Sequence, residues 1–302
     1  MVNVVLVTGS SGFLGRAVAE RFVAAGHHVI GLDPAKPLAS IVRHVTDDLS
    51  DPVRLRELLA GEGITDIIHA GGVSGPMVMP DRPDRVIAIN VAGTLNLLQA
   101  ALDAKTKTFI FCSSVSAIGE FYEKEPIGDD HPLQPTNTYG CSKAAVDMVL
   151  RGLWRRLPLD LCSLRFTGIY GPGRRTQFVV DDIVDSALSG HPVRVPAATD
   201  WPYIYVDDAA DAVIAACFCA HRRQLSYFIA YPEQVSLMDL ATAAAEAAGH
   251  HPVRLEIDQT KPPSSRGPLD IAPAQRDFGF SPRIDHREGI RRMVAARTRI
   301  SA

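Results

Sequence analysis

The stretch "NVVLVTGSSGFLGRAVAERF", residues 3–22, decides the fold. A short β-branched run reads as a buried strand, ends in a glycine-rich turn, and passes at once into an amphipathic helical pattern. Glycines at 9, 12 and 15 let the turn tighten, let backbone approach a pyrophosphate and let the helix pack close, while the helix N-terminus faces the anion. The spacing is GxxGxxG, not the commoner GxGxxG. The turn is answered by Asp33 at the end of the next strand, where an acid binds the adenosine ribose hydroxyls and repels a 2′-phosphate. That placement selects NAD over NADP. Lys36 and Arg16 are the competing signal, since either cation is near enough in sequence to meet a 2′-phosphate.

Outward from this turn, strands and helices alternate. Strands are expected at 3–7, 28–32 ("HVIGL"), 41–45 ("IVRHV"), 66–70 ("DIIHA"), 108–113 ("TFIFCS") and 159–166 ("LDLCSLRF"). The stretches "DPVRLRELLAG", "DRVIAINVAGTLNLLQAALDA" and "YGCSKAAVDMVLRGLWRRL" carry the intervening helices. Such alternation implies an α/β fold, a doubly wound parallel sheet of Rossmann-like type covered on both faces. After about residue 170 the alternation loosens and prolines gather in "HPVRVPAATDWP" and "QTKPPSSRGPLD". Residues 1–170 are therefore expected to form the dinucleotide-binding domain. Residues 171–302 should form mainly a smaller C-terminal substrate-binding lobe over the carboxyl ends of the strands, with some elements returning to the first domain.

The 302 residues are 46% hydrophobic and 22% charged with a net charge of −3, a globular composition with no basic block for nucleic acid. Nothing in the hydropathy pattern approaches a membrane span, and the apolar run at the start is too short and glycine-ended for a secretory signal. The five cysteines, Cys112, Cys141, Cys162, Cys217 and Cys219, show no metal-ligand spacing, and reduced, mostly buried thiols are expected. A cytoplasmic enzyme without a metal fits these features.

The chemistry is concentrated in "NTYGCSKAAVDM", residues 137–148. Tyr139 and Lys143 are one helical turn apart and share a face. A phenol is a poor base at neutral pH, and a nearby ammonium favours the phenolate, so the spacing allows either a general base or a surface pair on an amphipathic helix.

Taken together, these motifs resemble the extended short-chain dehydrogenases/reductases of the NAD-dependent epimerase/dehydratase family. "VTGSSGFLG", "DDLSD", "IIHAGG", "NVAGTLNLLQAA", "FIFCSSVSAIG", "YGCSKAA", "LRFTGIYGPG", "YIYVDDAADAV" and "LDIAPAQRDFGFSP" occur in the family's order along nearly the whole chain. The resemblance implies that Tyr139 transfers the proton and that Lys143 lowers its pKa and holds the nicotinamide ribose. It makes Ser114 the hydrogen-bond partner of the reacting oxygen, with Ser113 the neighbouring candidate. It assigns Gly9, Ser11, Gly12, Phe13, Leu14 and Gly15 to the NAD pyrophosphate, Asp33 to ribose, Asp48 and Leu49 to adenine, and Ala70, Gly71, Gly72 and Phe166 to the rest of the dinucleotide. Asn90 is read as a buried amide supporting that loop. Relatives dimerise through two long helices, which implies a homodimer here.

Departures from the family pattern narrow the reaction. Val115 and Ser116 stand where 4,6-dehydratases carry an Asp-Glu pair, so water elimination is not expected. Gly168 and Trp201 stand where nucleotide-sugar epimerases carry polar diphosphate anchors, which weakens the case for a UDP-linked substrate. Arg174, Arg175, Gln177 and Arg266 remain to hold an anion, and Ser74 to donate to a substrate hydroxyl; Trp201 and Tyr203 offer either a sugar-stacking face or lobe packing. The expectation is an NAD-dependent oxidoreductase making reversible hydride transfer at a secondary hydroxyl or ketone of a sugar or sugar acid. It leans to a dehydrogenase on a nucleotide-free carbohydrate. A UDP-hexose 4-epimerase is the alternative, and a non-catalytic NAD sensor a third reading that the retained Ser114, Tyr139 and Lys143 oppose. The role of Asp33 predicts that fluorescence titration finds NAD binding about tenfold or more tighter than NADP, through repulsion of the 2′-phosphate; equal affinities would remove that role.

Overall fold

The computed structural model describes residues 2–37, 43–195, 200–249, 252–259 and 266–301. Its strands, in chain order, are β1 (Val4–Thr8), β2 (His28–Leu32), β3 (Arg43–Val45), β4 (Asp66–His69), β5 (Thr108–Ser114), β6 (Asp160–Phe166), β7 (Gly168–Tyr170), β8 (Val193–Val195), β9 (Asp200–Tyr205), β10 (Ser226–Ile229), β11 (Gln234–Ser236) and β12 (Leu255–Ile257). The helices are α1 (Phe13–Ala24), α2 (Pro52–Glu62), α3 (Pro83–Ile87), α4 (Gly93–Asp103), α5 (Thr138–Leu153), α6 (Val179–Ser189), α7 (Val206–Cys217), α8 (Leu237–Ala248), α9 (Ala272–Phe278) and α10 (His286–Ser301).

Seven strands form one parallel sheet in the order β10-β6-β5-β4-β1-β2-β3. The winding direction reverses between β1 and β4, and the crevice at their carboxyl ends is where a doubly wound sheet takes its ligand. Alternation along each strand supplies both faces. Val5, Val7, Ile68 and Ile110 pack with Val18 and Phe22 of α1 and Ala209 and Val213 of α7. Leu6, Ile67 and Phe109 face Leu55 and Leu59 of α2, Leu97 of α4 and Val146 of α5. Near-continuous apolar runs in the strands are the consequence.

The smaller lobe leaves the sheet at the carboxyl end of β6. There β7 pairs in parallel with β9, β9 pairs antiparallel with β11, and β8 and β12 form a second, parallel pair. Tyr170, Tyr203, Ile183, Leu240 and Ile290 fill the core between these strands and α6, α8 and α10. Both β10 and α7 return from this half of the chain to the main sheet.

Several local expectations are corrected. Ile41 and Val42 of the strand expected at 41–45 lie outside the described residues. The helix expected to run to residue 157 ends at Leu153, because Trp154 takes a non-helical ψ of 132° and Arg155 follows at φ 59°. The expectation that nothing approaches a membrane span fails on length and composition alone: the helical run Pro83–Asp103, interrupted by a π-turn at Ala88–Ala92, has 21 residues and holds an 18-residue window of mean hydropathy 1.4. Its apolar side, including Leu97, Leu98, Ala100 and Ala101, is core against the sheet.

Beneath α5 lies a buried ion pair. Arg165 Nε donates to Asp147 Oδ2 at 2.8 Å, with both side chains at most 1% exposed. Asp147 also accepts from Ser113 Oγ and Ser163 Oγ, and Arg165 Nη1 donates to Asp129 O at 2.7 Å. Removing one member leaves the other charge buried and unpaired. Arg165→Met is therefore expected to lower the unfolding free energy in urea by about 3–5 kcal/mol.

Candidate active site

At the crevice, backbone meets backbone. Gly9 has φ +68°, and a Cβ there would sit 2.6 Å from Gly71 Cα. A Cβ on Gly15 would sit 2.1 Å from Gly9 O. Only glycines let β1, α1 and the loop after β4 close to this distance. Gly12 caps α1 without a side-chain hydrogen bond, so the first-turn amides of Phe13, Leu14 and Gly15 present an anion site. Asp33 is tied to the same turn: its Oδ2 accepts from Ser11 N at 3.1 Å and its Oδ1 from Ala35 N at 2.8 Å. On the loop after β3, hydrogen bonds from Ser50 lower the pKa of the exposed Asp48, and Asn96 Nδ2 holds Leu49 O at 2.9 Å. Ala70, Gly71 and Gly72 follow β4 along the crevice. The cradle accommodates a dinucleotide.

The reacting groups converge at the ends of β5 and β6. Asn137 caps α5 by accepting from Gly140 N at 2.9 Å. A Cβ on Gly140 would meet Ser116 O at 2.3 Å, so glycine lets this first turn sit against the turn that follows Ser114. Tyr139 there stands close enough to Ser114 for the serine hydroxyl to favour the phenolate. Ser113 points the other way, to Asp147, which leaves Ser114 as the serine at the phenol. Phe166 lies beside Ser114 in register and is buried.

The expected effect of Lys143 on Tyr139 is corrected. Lys143 is buried, its Nζ donates to Cys112 O at 2.9 Å, and it stands 4.7 Å from the Phe111 ring centroid and 5.9 Å from that of Tyr139. Burial pushes its own pKa down to about 8. The phenol is raised above its ordinary value, chiefly by burial, against the opposing pull of the Ser114 hydroxyl and of the Arg174 and Arg266 charges. Desolvation outweighs the ammonium because Nζ turns to a carbonyl rather than to the phenolic oxygen.

Two guanidiniums reach this phenol from the second half of the chain. Arg174 donates to Ile169 O at 2.7 Å and stacks 4.2 Å over Phe178, with Phe13 at 5.9 Å. Arg266 is only 6% exposed, lies 4.5 Å over the Trp201 ring, and has no hydrogen-bond partner at Nε or Nη1. Burial lowers its pKa to about 10. Trp201 thus forms a wall behind Arg266, and Tyr203 is buried in the lobe core. At Gly168 a Cβ would meet Phe178 at 2.9 Å and Tyr203 at 3.1 Å, so packing of the lobe accounts for a glycine there. Ser74, Arg175 and Gln177 are exposed. Cys112, Cys162 and Cys217 are buried as expected, but Cys141 is exposed.

Sequence reasoning passes over His69 and Ser142, both fully buried. Their only signal is polarity within the apolar stretches "IIHAGG" and "CSKAA". His69 bonds Thr8 and Thr94, each at 2.7 Å, and Ser142 bonds Tyr139 O at 2.7 Å.

A glycine cradle at the switch point of a parallel sheet, with serine, tyrosine and lysine converging beside it, defines a nicotinamide-dependent oxidoreductase. Residues 5–224 match the NAD dependent epimerase/dehydratase family, and the chain belongs to it. A UDP-glucose 4-epimerase of Mycolicibacterium smegmatis is 28% identical over 96% of each chain. UDP-glucuronate 4-epimerase 2 of Arabidopsis thaliana is 25% identical, over 96% of this chain and 74% of its own. The solved structure of the Thermus thermophilus UDP-glucose 4-epimerase in complex with NAD superposes with a TM-score of 0.86 at 28% identity, covering 97% of this chain and 98% of that one.

Lys143 carries a stability signature. Its pKa, depressed to about 8 from 10.5, means the folded state binds fewer protons than the unfolded chain between those values. Its contribution to stability is therefore least favourable below pH 8 and improves as pH rises toward 10.5. Urea unfolding of Lys143→Met beside the parent protein should show the variant's relative stability decline from about pH 7 to about pH 10.

Proposed function

We propose that the protein is an NAD-dependent 4-epimerase of a UDP-linked hexose or hexuronic acid. The observation that carries this reading is Arg266. A guanidinium so buried, with two nitrogens unpartnered, keeps a desolvation cost that an incoming anion offsets. The absence of polar side chains at Gly168 and Trp201 favours a nucleotide-free substrate. Arg266, resting on Trp201 beside Tyr139, offers a diphosphate partner by another route. The named relatives, UDP-glucose and UDP-glucuronate 4-epimerases, support the same choice over a free-sugar dehydrogenase.

In this reading the uncapped N-terminus of α1 and the backbone of Gly9 to Gly15 hold the pyrophosphate of NAD, and Asp33 holds the adenosine ribose. NAD supplies reversible hydride acceptance when bound. Tyr139 takes the proton from the sugar hydroxyl and returns it, Ser114 steadies the reacting oxygen, and Lys143 holds the nicotinamide ribose and adds positive charge. Arg266 anchors the diphosphate, and Arg174 and Ser74 flank the sugar. We also propose a homodimer through α4 and α5, whose surface leaves Met148 65% exposed. The free cysteines agree with a cytoplasmic setting.

The deciding experiment supplies NAD with UDP-glucose, UDP-galactose, UDP-glucuronate, UDP-galacturonate and free aldoses. Both epimer interconversion and NADH absorbance are followed. Interconversion of one UDP-sugar pair without net NADH is expected; net NADH from a free sugar would establish the dehydrogenase instead. By calorimetry, Arg266→Met should weaken UDP binding about tenfold or more, the worth of a charged hydrogen bond, and leave NAD affinity unchanged.

A further inference from the structure

Between the strand ends and α5 runs a series of buried and half-buried hydrogen bonds, linked through the side chain and backbone of Asn90, in which every proton is assignable. Ser142 Oγ donates to Tyr139 O at 2.7 Å, the back-bond that helical serines make. The same oxygen accepts from Asn90 Nδ2 at 2.9 Å. Asn90 uses its other Nδ2 proton on Val73 O at 3.1 Å and accepts Val73 N on Oδ1 at 2.7 Å. Thr94 Oγ1 donates to Asn90 O at 2.6 Å. A hydroxyl has one proton, so Thr94 must accept from His69 Nε2. His69 Nδ1 is then an acceptor for the Thr8 hydroxyl, and Thr8 Oγ1 in turn accepts from Gly71 N at 3.1 Å. Burial, with the neighbouring Lys143 charge, drives the His69 pKa down to about 3, so the ring stays neutral at neutral pH and its bonds to Thr94 and Thr8 set the tautomer.

The series ends at two places that matter for the chemistry. Gly71 lies against Gly9 of the cradle, and Tyr139 lies in the first turn of α5. Asn90 alone braces the loop after β4; Ser142 alone makes a local helix bond. Joined, they tie that loop to the turn carrying the phenol. We propose that Ser142 is a positioning residue: through it the dinucleotide-facing loop sets where the Tyr139 phenol stands. The inference rests on the proposed role of Tyr139.

Ser142→Ala deletes one buried oxygen and leaves an Asn90 proton without an acceptor. Hydrogen exchange on the unliganded protein reads the joint directly. Protection of the Val73 amide should fall about tenfold, while that of Gly9, bonded to Leu32 O outside the series, stays unchanged. Protection that falls equally at both amides, or at neither, overturns the joint. Kinetics with NAD and UDP-galactose read the positioning. Ser142→Ala should lower kcat about tenfold with KM within about twofold, and should cost less than about twofold more in a Tyr139→Phe background. An equal loss in both backgrounds overturns positioning through Tyr139. Tyr139→Phe itself should lose about 10² or more in turnover; if it keeps the parental rate, the role of Tyr139 falls, and the exchange measurement still decides the joint.

Discussion

Contact of backbone on backbone at Gly9 is the constraint on which the rest of the site depends. The turn after β1, the first turn of α1 and the loop after β4 meet there with no room for a Cβ on Gly9 or Gly15. That closeness aims the α1 amides into the crevice and brings Gly71 within reach of the Thr8 hydroxyl. A methyl group at Gly9 or Gly15 would push these three segments apart and disturb the cradle and the buried hydrogen bonds together. The sheet order matters for the same reason: β1 and β4 are neighbours whose helices depart to opposite faces, leaving the gap that the glycines line.

Around that gap the protein holds charge at a cost to itself. Lys143, Arg266 and Arg174 all have pKa values lowered by burial, while burial raises that of the Tyr139 phenol. Three cations and a neutral acid in one crevice make a field suited to anions and to a developing phenolate. The Asp147–Arg165 pair, one layer below, is by contrast fully matched in charge and anchors α5 from beneath. A charge-matched layer thus supports one in which buried cations gather, each eased by a nearby acid: Glu120 for Arg266, Asp181 for Arg174 and Asp147 for Lys143.

What was legible in the sequence was what is local. Gly9, Gly12 and Gly15 act within one turn, Tyr139 and Lys143 within one helical turn, and the alternation of apolar runs gave the sheet. The environment of the phenol was not legible, because Arg174 and Arg266 reach it from far along the chain and because Lys143 finds Cys112 O, a partner no spacing rule names. The reason for a glycine at 168 was not legible either, because a missing side chain looks the same whether a ligand or a neighbour takes its place; Phe178 and Tyr203 crowd that position. His69 and Ser142 stand out only as polar residues in apolar company, and their meaning lies in Thr8, Thr94 and Asn90, which no motif connects.

The outer strand of the sheet has a consequence for how the chain comes to be folded. The pairing of β10 with β6 cannot form until the segment between them, which carries β7, α6, β8, β9 and α7, has been made. Closing so long a loop adds only a logarithmic entropy cost, yet it is slow compared with the local pairings. During synthesis β6, with Leu161, Cys162 and Leu164 along it, is therefore the open edge of an otherwise assembled sheet, the kind of edge at which nascent chains join one another. That inserted segment is thus also the interval of synthesis during which the edge has no strand of its own to cover it.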